Sequence, residues 1–517
     1  MNGAHAVLRT LVANGVDTCF TNPGTSEMHF VAALDDVPEM RPVLALFEGV
    51  ATGAADGYGR MAGKPAATLL HLGPGLGNGL ANLHNARRAR TPIVNIVGDH
   101  ATYHQALDAP LASDIVGVAN NVSRWVRESK GADTVGADTA EAIMEARRGG
   151  VATLILPADA SWSEGAEPGP HDFLLHETTA DTGDAIERAV VALRSGEPTA
   201  FLLGGRALTE ECLVAASAIA AATGAKLLCE TFPARLVRGA GLPAVERLGY
   251  LAEFAIAQLQ GIAHLVLVDA KKPVSFFAYP NLPSELTPAG CEVHEVVPAG
   301  VPTADVVLEL LARSVDASLE DAVRVPASRP DRPSGPLNPE TIANAIGALL
   351  PEGAIVSDEA NTGGLFVSGA TAGAPRHDWL TLTGGAIGQG MPVATGAAVA
   401  CPNRKVLNLQ ADGSAMYTLQ SLWTQAREHL DVTTIIFDNR SYAILNLELA
   451  RVGARTDGNA ADQFDLSRPP LDFVALANGL GVDGTRAETA DDLVQALERA
   501  LREPGPHLID AIMPARL

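Results

Sequence analysis

The sequence predicts an α/β protein built from three doubly wound parallel-sheet domains, and three observations carry that prediction. Apolar runs of strand length alternate with segments of helical spacing along most of the chain. Two tracts rich in Pro and polar residues interrupt the alternation. At 517 residues, 47% of them hydrophobic, there is material for about three cores. Residues 1–165 form the first α/β unit and end after the apolar run Val151 to Pro157. Trp162 to Asp181, rich in Glu, Pro, Gly and His, is the first linker. A middle unit spans 183–320, with strands expected at Ala200–Leu203, Lys226–Cys229 and His264–Val268, and Pro326 to Pro339 is the second linker. The third unit spans 335–517.

The third unit carries the most informative motif. Lys405 to Leu409 reads as a strand, Asp412-Gly413-Ser414 as a tight turn, and Thr418 to His429 as a helix with Leu419, Leu422, Trp423 and Ala426 at helical spacing. A second apolar run, Val432 to Phe437, ends at Asp438-Asn439. Two parallel strands of such a unit finish at the same edge of the sheet, where ligands of doubly wound folds bind. Asp412 and Asn439, with a backbone carbonyl near Ser441, then offer hard oxygen donors that suit magnesium and leave positions for phosphate oxygens. The backbone amides after Gly413, at a helix start, favour the same anion. Ordinary turn dipeptides closing two strands would read the same way.

Asp412-Gly-Ser followed at this distance by Asn439-Arg-Ser441-Tyr442 resembles the diphosphate and magnesium motif of thiamine-diphosphate-dependent enzymes, in the branch with acetolactate synthase, benzoylformate decarboxylase and pyruvate oxidase. The motif's leading Gly is Ala411 here, a departure of one methyl group. The resemblance covers essentially the whole chain and implies a pyrimidine-binding domain, a central domain and a diphosphate-binding domain. It also implies that the cofactor bridges the first and third domains of two subunits, so that the protein is a homodimer or homotetramer.

The same resemblance assigns further residues. Glu48, in Val43-Leu-Ala-Leu-Phe-Glu48-Gly-Val-Ala-Thr-Gly, matches the glutamate that hydrogen-bonds the aminopyrimidine ring, and apolar neighbours at Leu46, Phe47, Val50 and Ala51 would raise its pKa and strengthen that bond. By itself an acid in the first turn of a helix needs no such role. Thr383-Gly-Gly385-Ala-Ile387-Gly-Gln-Gly matches the loop beneath the cofactor, with Ile387 as the wedge that bends it and a carbonyl near Gly385 facing the amino group. A glycine-rich junction before a helix is the plainer reading. Thr25 and His71 match substrate-facing positions of benzoylformate decarboxylase, and an imidazole at His71 can shuttle protons near neutral pH. Gly73, Gly75, Gly77 and Gly79 lack the spacing of a dinucleotide fingerprint.

What the resemblance implies about reaction is decarboxylation of a 2-oxo acid, followed by transfer of the enamine to a second carbonyl, as in acetolactate synthase. Simple decarboxylation to an aldehyde is the alternative, and a non-catalytic cofactor-binding paralogue is a third reading. The nearest likeness is to short acetolactate-synthase-like large subunits, with departures where the second substrate binds. Pro110 and Leu111 replace the synthases' Phe-Gln pair, and Glu448 stands where they carry tryptophan. Glu448, at helical spacing from Ile444 and Leu447, also fits a solvated surface position. The second histidine of benzoylformate decarboxylase falls near Ala278. FAD, retained in the central domain of acetolactate synthases, is left undetermined by Leu203-Gly-Gly-Arg206.

A net charge of −23 argues against nucleic acid as a partner, since such a surface repels phosphates. Cysteines 19, 212, 229, 291 and 401 are scattered without a Cys-x-x-Cys pair, so no disulfide framework or zinc motif is expected and a reducing compartment fits. No basic amino-terminal leader and no run of 18 apolar residues is present, so a cytoplasmic protein without membrane partners is expected.

Overall fold

The computed structural model describes residues 1–171, 183–455 and 458–515. Part of the first expected linker, 172–181, therefore lies outside the described residues. Three parallel-dominated sheets with flanking helices make up the fold, in the α/β class. The first sheet contains Thr18–Asn22 (β1), Arg41–Leu44 (β2), Ala66–Leu70 (β3), Ile93–Asp99 (β4), Trp125–Glu128 (β5) and Val151–Pro157 (β6), in the order β2-β1-β3-β4-β6-β5. All its pairings are parallel. The reversal beside β1 and β3 is the switch of a doubly wound sheet, and β6 is buried at every residue, as a strand covered on both faces must be.

The middle sheet contains Thr199–Leu203 (β7), Lys226–Cys229 (β8), Glu246–Arg247 (β10), His264–Val268 (β11) and Glu292–Val297 (β12), in the order β10-β8-β7-β11-β12, again parallel. Leu236–Arg238 (β9) lies outside it and pairs antiparallel with residues 377–379. The third sheet contains Ile355–Glu359 (β13), His377–Thr381 (β14), Val406–Ala411 (β15), Val432–Asp438 (β16), Asp483–Ala487 (β17) and His507–Ile512 (β18), and runs β17-β18-β16-β15-β13-β14. The chain divides into two compact units. One holds the first sheet and the third sheet apart from residues 377–379; the other holds the middle sheet with residues 371–379.

Within the first unit, the helix Glu48–Ala62 lies directly on the helix Gly390–Ala400. The approach is at backbone distance. A Cβ on Gly57 would sit 2.0 Å from the Val393 carbonyl oxygen, and one on Gly396 would sit 1.8 Å from the Ala54 carbonyl oxygen. Both helices are short-side-chain sequences buried almost all round, which is how a helix sandwiched between two sheets reads. Beside the crossing, Arg60 and Asp56 form an ion pair of 2.6 Å with both side chains essentially buried. Arg60 also donates to the Thr381 carbonyl and the Thr383 hydroxyl, while Asp56 accepts from Thr91 and from the Gln389 amide. Such a pair is tolerated in the interior because hydrogen bonds take up its remaining donors and acceptors.

Gly57→Ala should lower the thermal midpoint clearly, because overpacking of this kind costs about 1–3 kcal/mol or more where the neighbour is rigid backbone. Gly77→Ala is the control: its Cβ would meet nothing within 4 Å on the helix Leu72–Ala89, so its midpoint should stay level or rise. Equal losses in both variants would remove the close approach as the cause.

Candidate active site

The two strand ends singled out by the motif are neighbours. β15 pairs with β16 in parallel, with Ala411 opposite Phe437, so Asp412 and Asp438-Asn439 emerge at one carboxyl edge. Asp412 does not sit in a tight turn. It opens the short helix Asp412–Ala415, and the later helix is confined to Ser421–Arg427, because Met416 to Gln420 forms turns between them. Asp412 is held by two amides: Gly413 N–H donates to Oδ1 at 2.7 Å and Arg440 N–H to Oδ2 at 2.6 Å. The Arg440 amide also reaches Asp438 Oδ1 at 3.1 Å, and Asn439 Oδ1 accepts from Ser441 N–H at 2.9 Å. Arg440 has φ of 56°, the left-handed conformation that turns the chain back over the edge.

Burial pushes the Asp412 carboxyl up to about 7; the charge of Asp438 adds to this, and the Gly413 and Arg440 amides oppose it. Burial likewise raises Asp438. Two buried carboxylates at such distance repel unless a proton or a cation lies between them. Hard oxygen donors from Asp412, Asp438 and Asn439 suit a magnesium-sized ion, and the amide-rich start of helix Asp412–Ala415 suits an anion beside it. Gly413 is packed against Tyr442: a Cβ there would be 2.3 Å from the ring. Ser414 is buried and its hydroxyl accepts from Asn361 at 3.3 Å; Ser441 Oγ accepts from Asn446. Asp412, Gly413, Ser414, Asn439, Ser441 and Tyr442 thus form one constellation.

The loop before helix Gly390–Ala400 is held from two sides. Glu359, the last residue of β13, accepts from the Gly388 and Gly390 amides at 2.6 Å each and from Gln410 at 2.9 Å. Glu359 is fully buried and its pKa is raised by that burial. From the helix Leu72–Ala89, His84 reaches the Gly384 carbonyl, Asn85 brackets Ala386, and Asn82 reaches the Gly388 carbonyl. Gly385 has φ of 74°, so glycine is required by backbone geometry there. The half-buried Ile387 is displayed between these anchors. Sequence reasoning missed Glu359 and the Asn82, His84 and Asn85 clamp. An apolar run closing on two acids, Ile355 to Glu359, was the available signal.

Glu48 is the first residue of its helix, and Asn78 donates to its Oε2 at 3.0 Å. Gly75 lies between Glu48 and His71, since a Cβ on it would be 3.1 Å from Glu48 Oε1 and 3.4 Å from His71 Cβ. The expected apolar shell is only partial: Glu48 is buried, yet Leu46 is 46% exposed. His71 caps the helix Leu72–Ala89, and its Nδ1 lies 2.8 Å from Glu27 Oε2. Glu27 is buried, with its pKa raised by burial, and it also accepts from Gly24 N–H. This acid, at the end of Thr21 to Glu27, was not singled out from sequence; a Glu three residues after Gly24, placed to reach back to that residue's amide, was the signal. Thr25 is exposed and lines an open cleft of about 280 Å³ with His29, His100 and Tyr103.

Pro110 and Leu111 lie in an exposed turn before the helix Ile115–Asn120. Glu448 is half-buried and paired with Arg451 at 3.3 Å, and its neighbour Leu447 is 45% exposed. The helix Ala443–Arg451 has no buried residue, so spacing within it could not say which side faces inward.

The thiamine pyrophosphate enzyme N-terminal TPP binding domain matches residues 1–118, and the C-terminal TPP binding domain matches 367–511. A Mycobacterium tuberculosis protein provisionally named acetolactate synthase large subunit IlvX is 59% identical, over 100% of this chain and 99% of its own. Benzoylformate decarboxylase of Pseudomonas aeruginosa is 29% identical, with 96% of each chain covered. In fold, the thiamine diphosphate-dependent 4-hydroxybenzoylformate decarboxylase of Rhodococcus jostii RHA1 superposes with a TM-score of 0.83 at 24% identity, over 99% of each chain.

The pKa directions predict a pH effect on the cofactor-free protein. A carboxyl raised on folding contributes stability while protonated and loses it as pH rises through the folded value, here toward about 7 for Asp412. Asp438→Asn removes the like charge, so its thermal midpoint should fall less between pH 5 and pH 8 than that of the wild type. Parallel midpoint curves for the two proteins would rule out coupling between these acids.

Proposed function

From the premise that this chain belongs to the thiamine pyrophosphate enzyme family, we propose that it binds thiamine diphosphate with magnesium and acts as an acetolactate-synthase-like carboligase, decarboxylating a 2-oxo acid and joining the acyl fragment to a second carbonyl compound. The observation that carries this reading is the convergence of Asp412, Asp438 and Asn439 at the ends of adjacent parallel strands. Residues 335–517 would hold the diphosphate end, residues 1–165 the pyrimidine end, and 183–320 form the central domain. Asp412, Asn439 and the Ser441 carbonyl would hold the magnesium, with Gly413 and Ser414 amides on the diphosphate and Tyr442 closing the turn over them.

When bound, the cofactor supplies a nucleophilic carbon and a sink for the electron pair released with carbon dioxide. The chain's own residues bind, orient and move protons around it. Glu48 would hold a proton at the pyrimidine nitrogen; Ile387, with the Gly385 carbonyl, would set the bend. The clamp on Gly384 to Gly388 supports this role, because a wedge works only from a loop that does not yield. Glu27 accepts from His71 Nδ1–H, which leaves the Nε2 lone pair free to take and return a proton at a substrate oxygen. Thr25 lines the neighbouring cleft, and Pro110, Leu111 and Glu448 would shape the pocket for the acceptor.

A homodimer or homotetramer is part of this reading. Leu365, Phe366, Met416 and Tyr417 are all exposed in the segments that follow β13 and β15, beside the cation cluster, and a second copy supplying its Glu48 would cover them. Among the described residues no helix is long and apolar enough to cross a membrane. We assign the protein to the cytoplasm; its free cysteines fit a reducing compartment. The His71–Glu27 pair favours a second reading, a simple 2-oxo acid decarboxylase like the relative benzoylformate decarboxylase.

Turnover of a panel of 2-oxo acids with thiamine diphosphate and magnesium, with and without an aldehyde or 2-oxo acid acceptor, separates these readings by product. Glu48→Gln should lower kcat by about 10²-fold or more, the scale of a lost proton-transfer group. Aldehyde as the sole product would favour the decarboxylase, and unchanged turnover in Glu48→Gln would sink the assignment. Cofactor binding without turnover of any acid would point to a non-catalytic paralogue.

A further inference from the structure

The middle sheet carries a second cluster of ligating side chains, within the other unit of the chain and independent of the function proposed above. β11 and β12 pair in parallel, with His264 opposite Glu292 and Val266 opposite His294. Glu292 and His294 are two residues apart on one strand, so they face the same side of the sheet, and His264 faces that side from the neighbouring strand. One ligand atom from each of His264, Glu292 and His294 lies within 4.8 Å of the others. His264 Nδ1 and His294 Nε2 are 3.2 Å apart, and Glu292 Oε2 is 3.8 Å from His264 Nδ1. Around a tetrahedral zinc, with Zn–N of about 2.0–2.1 Å, ligand atoms stand roughly 3.3 Å from one another.

Proton placement supports the geometry. Glu197 Oε2 lies 2.9 Å from His264 Nε2, so the carboxylate holds the ring proton on Nε2 and leaves Nδ1 as a lone pair. His294 Nε2 must then donate across the 3.2 Å gap, which strips its Nδ1 of a proton. His294 is 1% exposed, and that Nδ1 is buried without a hydrogen-bond partner. An unpartnered buried nitrogen is costly. A divalent cation in the gap accepts both facing lone pairs and moves the His294 proton to Nδ1, where Glu292 Oε1 stands 3.9 Å away. Glu197 then completes a carboxylate–histidine–metal arrangement, the usual way a ligating histidine is oriented.

We propose that His264, His294 and Glu292 form a zinc-class divalent metal site at the amino edge of the middle sheet, with Glu197 as positioning residue. Arg188, on the helix Gly183–Arg194, is a nearby opposing charge, and Glu292 is the carboxylate that faces His294 against it. Two histidines and a carboxylate leave a fourth position for water.

The test uses the full chain saturated with magnesium and thiamine diphosphate, so that the Asp412 cluster is occupied, and titrates zinc against a chromophoric indicator. One tight equivalent is expected. His264→Gln and the exposed-position variant Glu292→Gln should weaken it, the first by about 100-fold, and Glu197→Gln by about 10-fold. Cys291→Ser, beside Glu292, should leave it unchanged. Cobalt in place of zinc should give intense absorption near 600 nm that disappears in His264→Gln. The proposal is overturned if the wild type binds no tight equivalent, if Glu292→Gln and Glu197→Gln both bind like the wild type, or if loss follows Cys291→Ser. Circular dichroism of each variant without zinc confirms the fold, and Glu292→Gln and Glu197→Gln decide the matter should His264→Gln misfold.

Discussion

The backbone contact between helices Glu48–Ala62 and Gly390–Ala400 is the constraint on which the first unit depends. Gly57 and Gly396 allow carbonyl oxygens to lie where side chains would otherwise stand. One helix begins with Glu48, and the other follows directly on the loop that displays Ile387. Their crossing therefore fixes how elements of the first and third sheets are spaced, and the buried Asp56–Arg60 pair fixes its register by binding Gln389 and Thr383 on the far side. Buried ion pairs are poor sources of net stability but strong specifiers of one arrangement when hydrogen-bonded, and the contacts of this one to Thr381, Thr383 and Gln389 point across the same crossing.

Around that crossing, acids are buried in a graded way. Glu359 is enclosed and occupied with backbone amides, so it acts as structure. Glu27 is enclosed but shares one oxygen with His71, so it orients an imidazole. Asp412 and Asp438 share the Arg440 amide; the charge of Asp438 raises the Asp412 carboxyl, and only backbone amides stand against the burial of Asp412. Desolvation raises all four; what differs is the partner each is given, and the partner decides the role.

How much was legible depended on the range of the signal. The alternation of strand and helix, and the termination of β15 and β16 at Asp412 and Asp438, could be read because parallel strands in a doubly wound sheet end at one edge whatever surrounds them. The role of Glu359 could not be read, since its partners come from two other stretches of chain, Gly388 with Gly390 and, separately, Gln410. The orientation of Glu448 could not be read, because a helix with no buried residue carries no inward stripe. The turn expected at Asp412 proved to be a helix start, where a free amide at Gly413 serves the same carboxylate.

The sequence alone determined the fold class, the order of the elements and the residue types delivered to each sheet edge, because these follow from local periodicity and from the geometry of parallel crossover connections. Only tertiary structure decided which of those residues meet. Asn82 and Asn85 on the Ala386–Gly388 loop, Glu27 on His71, and Glu197, His264 and His294 in a single row are contacts between segments far apart in the chain. Long-range contacts of this kind depend on how helices and strands pack, and packing is set by the summed shape of buried side chains, which no local window of sequence contains.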